Sequence, residues 1–346
     1  WKDNVITATD CKFASTIAGY GAYLPGKNTY NFTNCTFSGS VGVYIKSGDT
    51  TFTDCTINGN GEYEKPTYNG NGANGGGAGI VVDSTTGYQT PMTVTVNGGS
   101  ITSANGYAIE EVSNAKANAD KICYSTVSVS KETVLTGKLG KVQSENGTVK
   151  VEGEDGTVAA YASTAAAVSK AMENGGNVVL TDDVTCDATE FADTQVTVRA
   201  AENDVETVID LNGKTLGYRL TLTTLDTNSK DTGKRLKVTV KNGQVGTDDG
   251  LSAAGANMYY GFNLQGNGVD LVVEDVRAVS YYGGLYANGS WSGNTINAKN
   301  CTIEGSANGY GAYLPGKNTY NFTNCTFSGS VGVYIKSGDT TFTDCT

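Results

Sequence analysis

The chain has 346 residues, among them 46 Gly, 20 Tyr, only 4 Pro and no His, and its formal net charge is −11 with a pI near 4.6. That length can bury a large core, so disorder is not expected, and an acidic surface excludes nucleic acid, whose phosphates need a basic partner. Without His, any Ser-His, Cys-His or His-metal mechanism is also excluded.

Gly, Tyr, Thr and Asn in this proportion describe many short strands joined by tight turns. No apolar run approaches the roughly 20 residues of a membrane-spanning helix. No signal peptide precedes Trp1. Because the chain starts inside a repeat, that says nothing about export.

In chain order, the first residues read with period 2, which means strand. Ile6, Ala8, Cys11 and Phe13 fall on one face. Residues 19–56 follow with the bends "NFTNCTF" and "TTFTDCTI", in which Asn or Asp turns the corner and Cys points inward. Each bend is trailed by a short strand with a glycine lead, "GAYL" or "GVYI", whose alternation turns Tyr23 and Tyr44 outward.

The step from Phe52 to Val96 is too long for one ordinary turn of such a chain. The Gly- and Asn-rich residues 61–79 are therefore expected to leave the stack as a loop. Val96 and Val129 resume the inward column, and Cys123 lies near the last strand of this part.

Residues 145–162 are expected to be a junction. After them, Ser163 or Thr164 is a suitable N-cap, Ala165–Met172 is rich in helix formers, and Gly175 is a suitable stop. Such a helix would cover the open edge of the first strands behind it. Cys186 follows in "LTDDVTCDATEF", and with Cys123 it is a candidate for a disulfide between consecutive units. Two separate thiols are the plainer alternative.

Farther on, Leu211, Val240, Val273, Ala298 and Phe322 continue the column already holding Phe52, Val96 and Val129. Cys301, Cys325 and Cys345 form a ladder of their own, read as small buried thiols. Tyr286, Tyr313 and Tyr334 face outward beside the inward Leu285, Ala312 and Val333. Stacked tyrosines are either a strip for sugars or a partner, or a ladder that only stabilises the sheet.

The chain then repeats itself. Residues 309–346 match residues 19–56 letter for letter over 38 positions, with a period of 290. Upstream of that block, Ile6, Ala8, Cys11 and Phe13 align with Ile296, Ala298, Cys301 and Ile303. Inward positions stay apolar while outward ones drift, as Thr7 against Asn297. The expected organisation is residues 1–144 as the C-terminal part of one unit, 145–162 as junction, and 163–346 as capping helix and N-terminal part of the next.

The "NCTF", "NCTI" and "DCTI" bends and the opening "STAAAVSKAMENGGNVVLTDDVT", followed by "TVIDLNGKTL", resemble right-handed parallel β-helix proteins of the pectate-lyase-like type, in particular repetitive bacterial cell-surface versions. The resemblance implies an all-β fold: a right-handed parallel β-helix (β-solenoid) with a short N-terminal capping helix per unit. It covers most of the chain and is specific for fold alone, since this fold carries lyases, hydrolases, adhesins and inert stalks.

Enzymes of this type use acidic clusters with Arg, Lys or His. Acidic pairs occur, as Asp182-Asp183 and Asp248-Asp249, the latter near Arg235, and Asp beside Gly is ordinary turn chemistry. No catalytic residue, metal ligand or cofactor is therefore assigned. An ice-binding array fails because the outward positions Asn297, Lys299, Asn321 and Thr323 are irregular. The expectation is a structural or adhesive tandem-repeat protein of the cell surface, forming a rod, stalk or filament. Its partners would be its own neighbouring units and surface glycans. A carbohydrate-binding or carbohydrate-active protein is the alternative.

Overall fold

The computed structural model describes residues 2–16, 18–69, 72–84, 91–112, 125–172, 176–185, 195–248 and 260–346. They are nearly all β, with one α-helix, and long parallel sheets dominate. Two compact units divide the chain, Trp1–Lys170 and Ala171–Thr346. Among the described residues no helix is long and apolar enough to cross a membrane.

The first unit is built of strands that each pair with a strand a few tens of residues onward. One parallel stack runs Lys2–Thr9, Lys27–Thr33, Asp49–Thr53, Met92–Asn97, Ser125–Val129 and Val149–Glu152. A second runs Lys12–Ala14, Thr36–Gly39, Thr56–Gly59, Ser100–Ser103 and Val134–Gly137. A third runs Tyr20–Leu24, Val41–Ile45, Ile80–Asp83, Tyr107–Val112 and Gly140–Ser144. The inward residues of all three meet in one apolar core that includes Phe37, Phe52, Ile57, Ile80, Ile101 and Ile109.

Sequence alternation places these residues. In a strand, successive side chains point to opposite faces, so Phe32 and Phe52 go inward together while Asn31 and Thr51 go out. Their rings stack with centroids 5.6 Å apart. The glycine lead of the third stack has a steric cause: a Cβ added at Gly42 would lie 2.6 Å from the carbonyl oxygen of Gly79.

The corners are carried by Asn and Asp with positive φ, as at Asn34 (50°), Asp54 (51°), Asn300 (56°) and Asn324 (53°). The left-handed region costs an ordinary L-residue roughly 1–2 kcal/mol, and Asn and Asp are the side chains that visit it most readily. These corners also bond to one another. Asn324 Nδ2 donates to Asn300 Oδ1 at 2.9 Å, and Asn300 Nδ2 donates to Asp275 Oδ1 at 3.0 Å.

A second asparagine ladder lies at the opposite turn. Asn294 N donates to Asn318 Oδ1 and Val269 N to Asn294 Oδ1. Within "LPGKNTY" the Tyr320 hydroxyl donates to Pro315 O at 2.6 Å, and Tyr30 makes the same bond to Pro25 in the first copy at 2.5 Å.

Two segments depart from the sequence reading. Residues 61–79 do leave the parallel stack, but as an antiparallel hairpin of Glu64–Asn69 and Gly72–Gly76 rather than an irregular loop. Residues 145–162, expected as a junction, carry the strands Val149–Glu152 and Val158–Ala162, paired antiparallel. The helix is Ala165–Met172. Its N-cap is Thr164, whose Oγ1 accepts from Ala167 N and donates to Glu145 O, both at 3.1 Å.

In the second unit the longest stack runs Asn177–Leu180, Val205–Asp210, Leu236–Val245, Val269–Ser280, Thr295–Lys299, Thr319–Thr323 and Asp339–Thr343. Its column reads Ile209, Val240, Val273, Ala298, Phe322 and Phe342. Ile209, not Leu211, stands in this column, in register with Val178 before it, because the bend "DLNG" is longer than "KNG" before its αL residue. Leu211 is buried all the same, inside the turn.

A further stack runs Gln195–Arg199, Arg219–Thr223, Tyr260–Gln265, Gly283–Ala287, Tyr310–Leu314 and Val331–Ile335. In the longest stack, Phe322 is buried, at 1% exposed.

Candidate functional site

The outward face of this last stack carries the tyrosines. Register aligns Asn263, Tyr286, Tyr313 and Tyr334 across successive strands, while Leu285 and Ala312 beside them are buried. Tyr286 and Tyr313 stack at 5.4 Å and 11°, Tyr313 and Tyr334 at 5.5 Å and 14°. Tyr260 lies against the other end of the row, 3.9 Å from Tyr286 and nearly parallel to it.

That geometry limits what the row can do. Parallel strands repeat at about 4.8 Å, so the rings turn their faces to one another and present edges and hydroxyls to solvent. Interior members of the row offer no open ring face to a sugar. Burial, then the neighbouring phenols, push the Tyr260 hydroxyl up to about 12, and burial raises Tyr286 as well.

The equivalent pair in the first unit is placed differently. Tyr23 and Tyr44 are in register and 5.5 Å apart. Tyr44 was expected on the surface, yet it is 2% exposed, covered in a small cluster with Val41, Ala78, Val81 and Val112. Tyr23 remains 47% exposed.

The cysteine ladder is structural in geometry. Cys301 and Cys325 are buried and Cys345 half-buried, all as thiols. Cys325 N donates to Cys345 Sγ at 3.4 Å, as Cys35 N does to Cys55 Sγ. The thiol–thiol hydrogen bond with Cys325, and burial after it, raise Cys301 well above the usual thiol range. Cys123 and Cys186 lie outside the described residues.

The acidic pairs serve turns and ion pairs. Asp183 Oδ1 accepts from Thr215 N at 2.7 Å, and Asp182 Oδ1 from Asp183 N at 2.9 Å. Arg277 bridges Asp248 at 2.6 Å and Glu304 at 2.5 Å, and Arg235 pairs with Asp270. Asp249 lies outside the described residues. Among the described residues no group of three or more His, Cys, Asp or Glu is placed to hold a metal.

Three buried carboxylates escaped the sequence reading. Glu111 is wholly buried and accepts from Asn146 N, Ser144 Oγ and Ser84 Oγ, each at 2.9 Å, and from Asn146 Nδ2. Glu110, on the opposite face of the same strand, is 1% exposed and accepts from the Tyr63 hydroxyl at 2.9 Å. Burial, with a smaller push from Glu145, moves Glu110 up to about 7, against the Tyr63 bond and Lys65. Burial raises Glu111 too. Asp83 accepts from the Tyr44 hydroxyl. The signal available in the sequence was "YAIEEV", where strand alternation must turn one of two adjacent carboxylates inward.

No family model, no curated protein and no solved structure matches this chain.

Proposed function

We propose that this chain is a right-handed parallel β-solenoid of the tandem-repeat kind, serving outside the cell as a structural or adhesive rod, stalk or filament. One observation carries the reading: the block at residues 19–56 and its copy at 309–346 adopt the same strands in the same register. Phe32 pairs with Phe52 as Phe322 does with Phe342, and Tyr23 with Tyr44 as Tyr313 with Tyr334. A module that repeats in sequence thus repeats its pairing. A parallel stack has no intrinsic length, because each strand needs only the next.

Neighbouring units are the partners this reading requires. The acidic composition is compatible with an extracellular surface, and no catalytic constellation is assigned. Electron microscopy of the native material tests it: rods with regular spacing are expected, and dispersed single globules would overturn it. The second reading, a carbohydrate-binding or carbohydrate-active β-helix, is favoured by the exposed tyrosine hydroxyls and by the polar face beside them.

A further inference from the structure

Two buried oxygens stand side by side on adjacent strands of the first unit. Glu110 and Gln143 are in register on parallel neighbours, which puts both side chains on one face about 4.8 Å apart. Glu110 Oε2 and Gln143 Oε1 are buried, and neither has a hydrogen-bond partner among the described residues. Two acceptors cannot bond to one another. One proton on Glu110 Oε2 satisfies both, because the carboxylic O–H can donate to Gln143 Oε1 while Glu110 Oε1 goes on accepting from the Tyr63 hydroxyl at 2.9 Å. An ionised Glu110 would instead hold a charged oxygen out of water against a carbonyl dipole.

The same carboxyl anchors the hairpin of Glu64–Asn69 and Gly72–Gly76. Those strands pair with each other and with no other described strand, and an isolated two-stranded hairpin is marginal in water. Its seat is therefore at its base. Tyr63 bonds Glu110, and its ring packs edge-on against Tyr107 at 5.8 Å. Gly106 makes room for that ring, since a Cβ there would lie 2.8 Å from Tyr63 Cδ2. Asn105 Nδ2 donates to Gly61 O at 2.9 Å, and Ser103 Oγ donates to Gly77 O. Burial raises the Tyr63 phenol, so of the two bonded groups only Glu110, moved by burial up to about 7, ionises near neutral pH.

We propose that Glu110 is a proton-operated latch: its proton bridges Oε2 to Gln143 Oε1 and seats Tyr63, and losing that proton to solvent frees the hairpin while the parallel stacks stay folded. Tyr63 and Lys65 bear on Glu110 from the hairpin side and Glu145 from beyond the last strand of the stack; Lys65 favours ionisation and Glu145 opposes it. Gln143 and Val81 flank Glu110 in register and carry no charge. Glu111, on the same strand, faces the other way. A charged Glu110 needs water, because the single Tyr63 donor leaves Oε2 unsolvated, and moving the hairpin aside admits it. The folded carboxyl is raised above its reference value, so the latch is closed in acid and opens as pH rises through the folded value. It does not depend on whether units join into a rod.

Backbone hydrogen exchange of the intact chain, read by mass spectrometry, tests this with Glu110→Gln as the reference. In that variant Oε1 still accepts from Tyr63 and Nε2 donates to Gln143, so the hairpin is held closed at any pH. At about pH 5 the strands Glu64–Asn69 and Gly72–Gly76 should exchange alike in the two proteins. At about pH 8.5 the parent should exchange there about tenfold faster or more, a decade for each pH unit above the folded value. Met92–Asn97, in a parallel stack, should exchange alike in both throughout. Gln143→Met removes the acceptor and should lower the pH at which the hairpin is freed. Equal hairpin exchange in parent and Glu110→Gln at about pH 8.5, or faster exchange of Met92–Asn97 in the parent there, would overturn the proposal. So would an unchanged or raised midpoint in Gln143→Met, since the amide would then turn Nε2, not Oε1, to an ionised carboxylate.

Discussion

The hydroxyl of Tyr44 donates to Asp83 Oδ2 at 2.7 Å, and Tyr44 is only 2% exposed. In the first unit the strand Ile80–Asp83 lies beside Val41–Ile45 and supplies the acceptor. Burial first, and the Asp83 carboxylate after it, push Tyr44 far above the usual phenol range.

Removing that hydroxyl should therefore be costly. Tyr44→Phe leaves a buried carboxylate short of a donor and should cost about 1.5–3 kcal/mol. Denaturant unfolding of the variant beside the parent chain is the measurement, and a loss below about 0.5 kcal/mol would mean that the bond to Asp83 contributes little.

Register makes the next prediction. Phe322 is buried and stacked on Phe342 at 5.4 Å, while Thr323 is exposed. Phe322→Asp places an unpaired charge in the core and should cost more than about 4 kcal/mol, enough to unfold the second unit. Thr323→Asp should be tolerated. Far-UV circular dichroism and thermal melts would separate them.

The corners predict a difference between two small residues. Asn300 has φ of 56° and both donates to Asp275 and accepts from Asn324. Asn300→Gly loses the hydrogen bonds but fits the backbone, whereas Asn300→Ala loses the bonds and meets left-handed strain. Ala should therefore be worse than Gly by about 1 kcal/mol, read from unfolding midpoints.

Glu110 sets a pH dependence in the first unit. Its folded pKa, about 7, lies above the reference 4.5, so the folded state keeps a proton that the unfolded chain releases. Stability from this group is complete below about pH 4.5, falls as pH rises, and is lost once pH passes about 7. The loss is on the order of 3 kcal/mol, and Glu111, raised in the same direction, adds to it. Groups bearing on Glu110 are Tyr63, Glu145 and Lys65. Glu110→Gln should flatten the slope of unfolding free energy between pH 5 and 7; an unchanged slope would assign it elsewhere.

Local chemistry determined much of this protein from the sequence alone. Period-2 alternation placed Phe32, Phe52 and Phe322 inward, and Asn or Asp before Cys marked corners whose left-handed backbone few other residues adopt. Strand direction and bend chemistry depend on neighbours a few residues away, so they can be read there. What lies beside a strand depends on pairing tens of residues onward. That is why Leu211 is aligned a register step from Ile209, why residues 61–79 are not foreseen as a hairpin, and why Tyr44 is expected on the surface although it is buried.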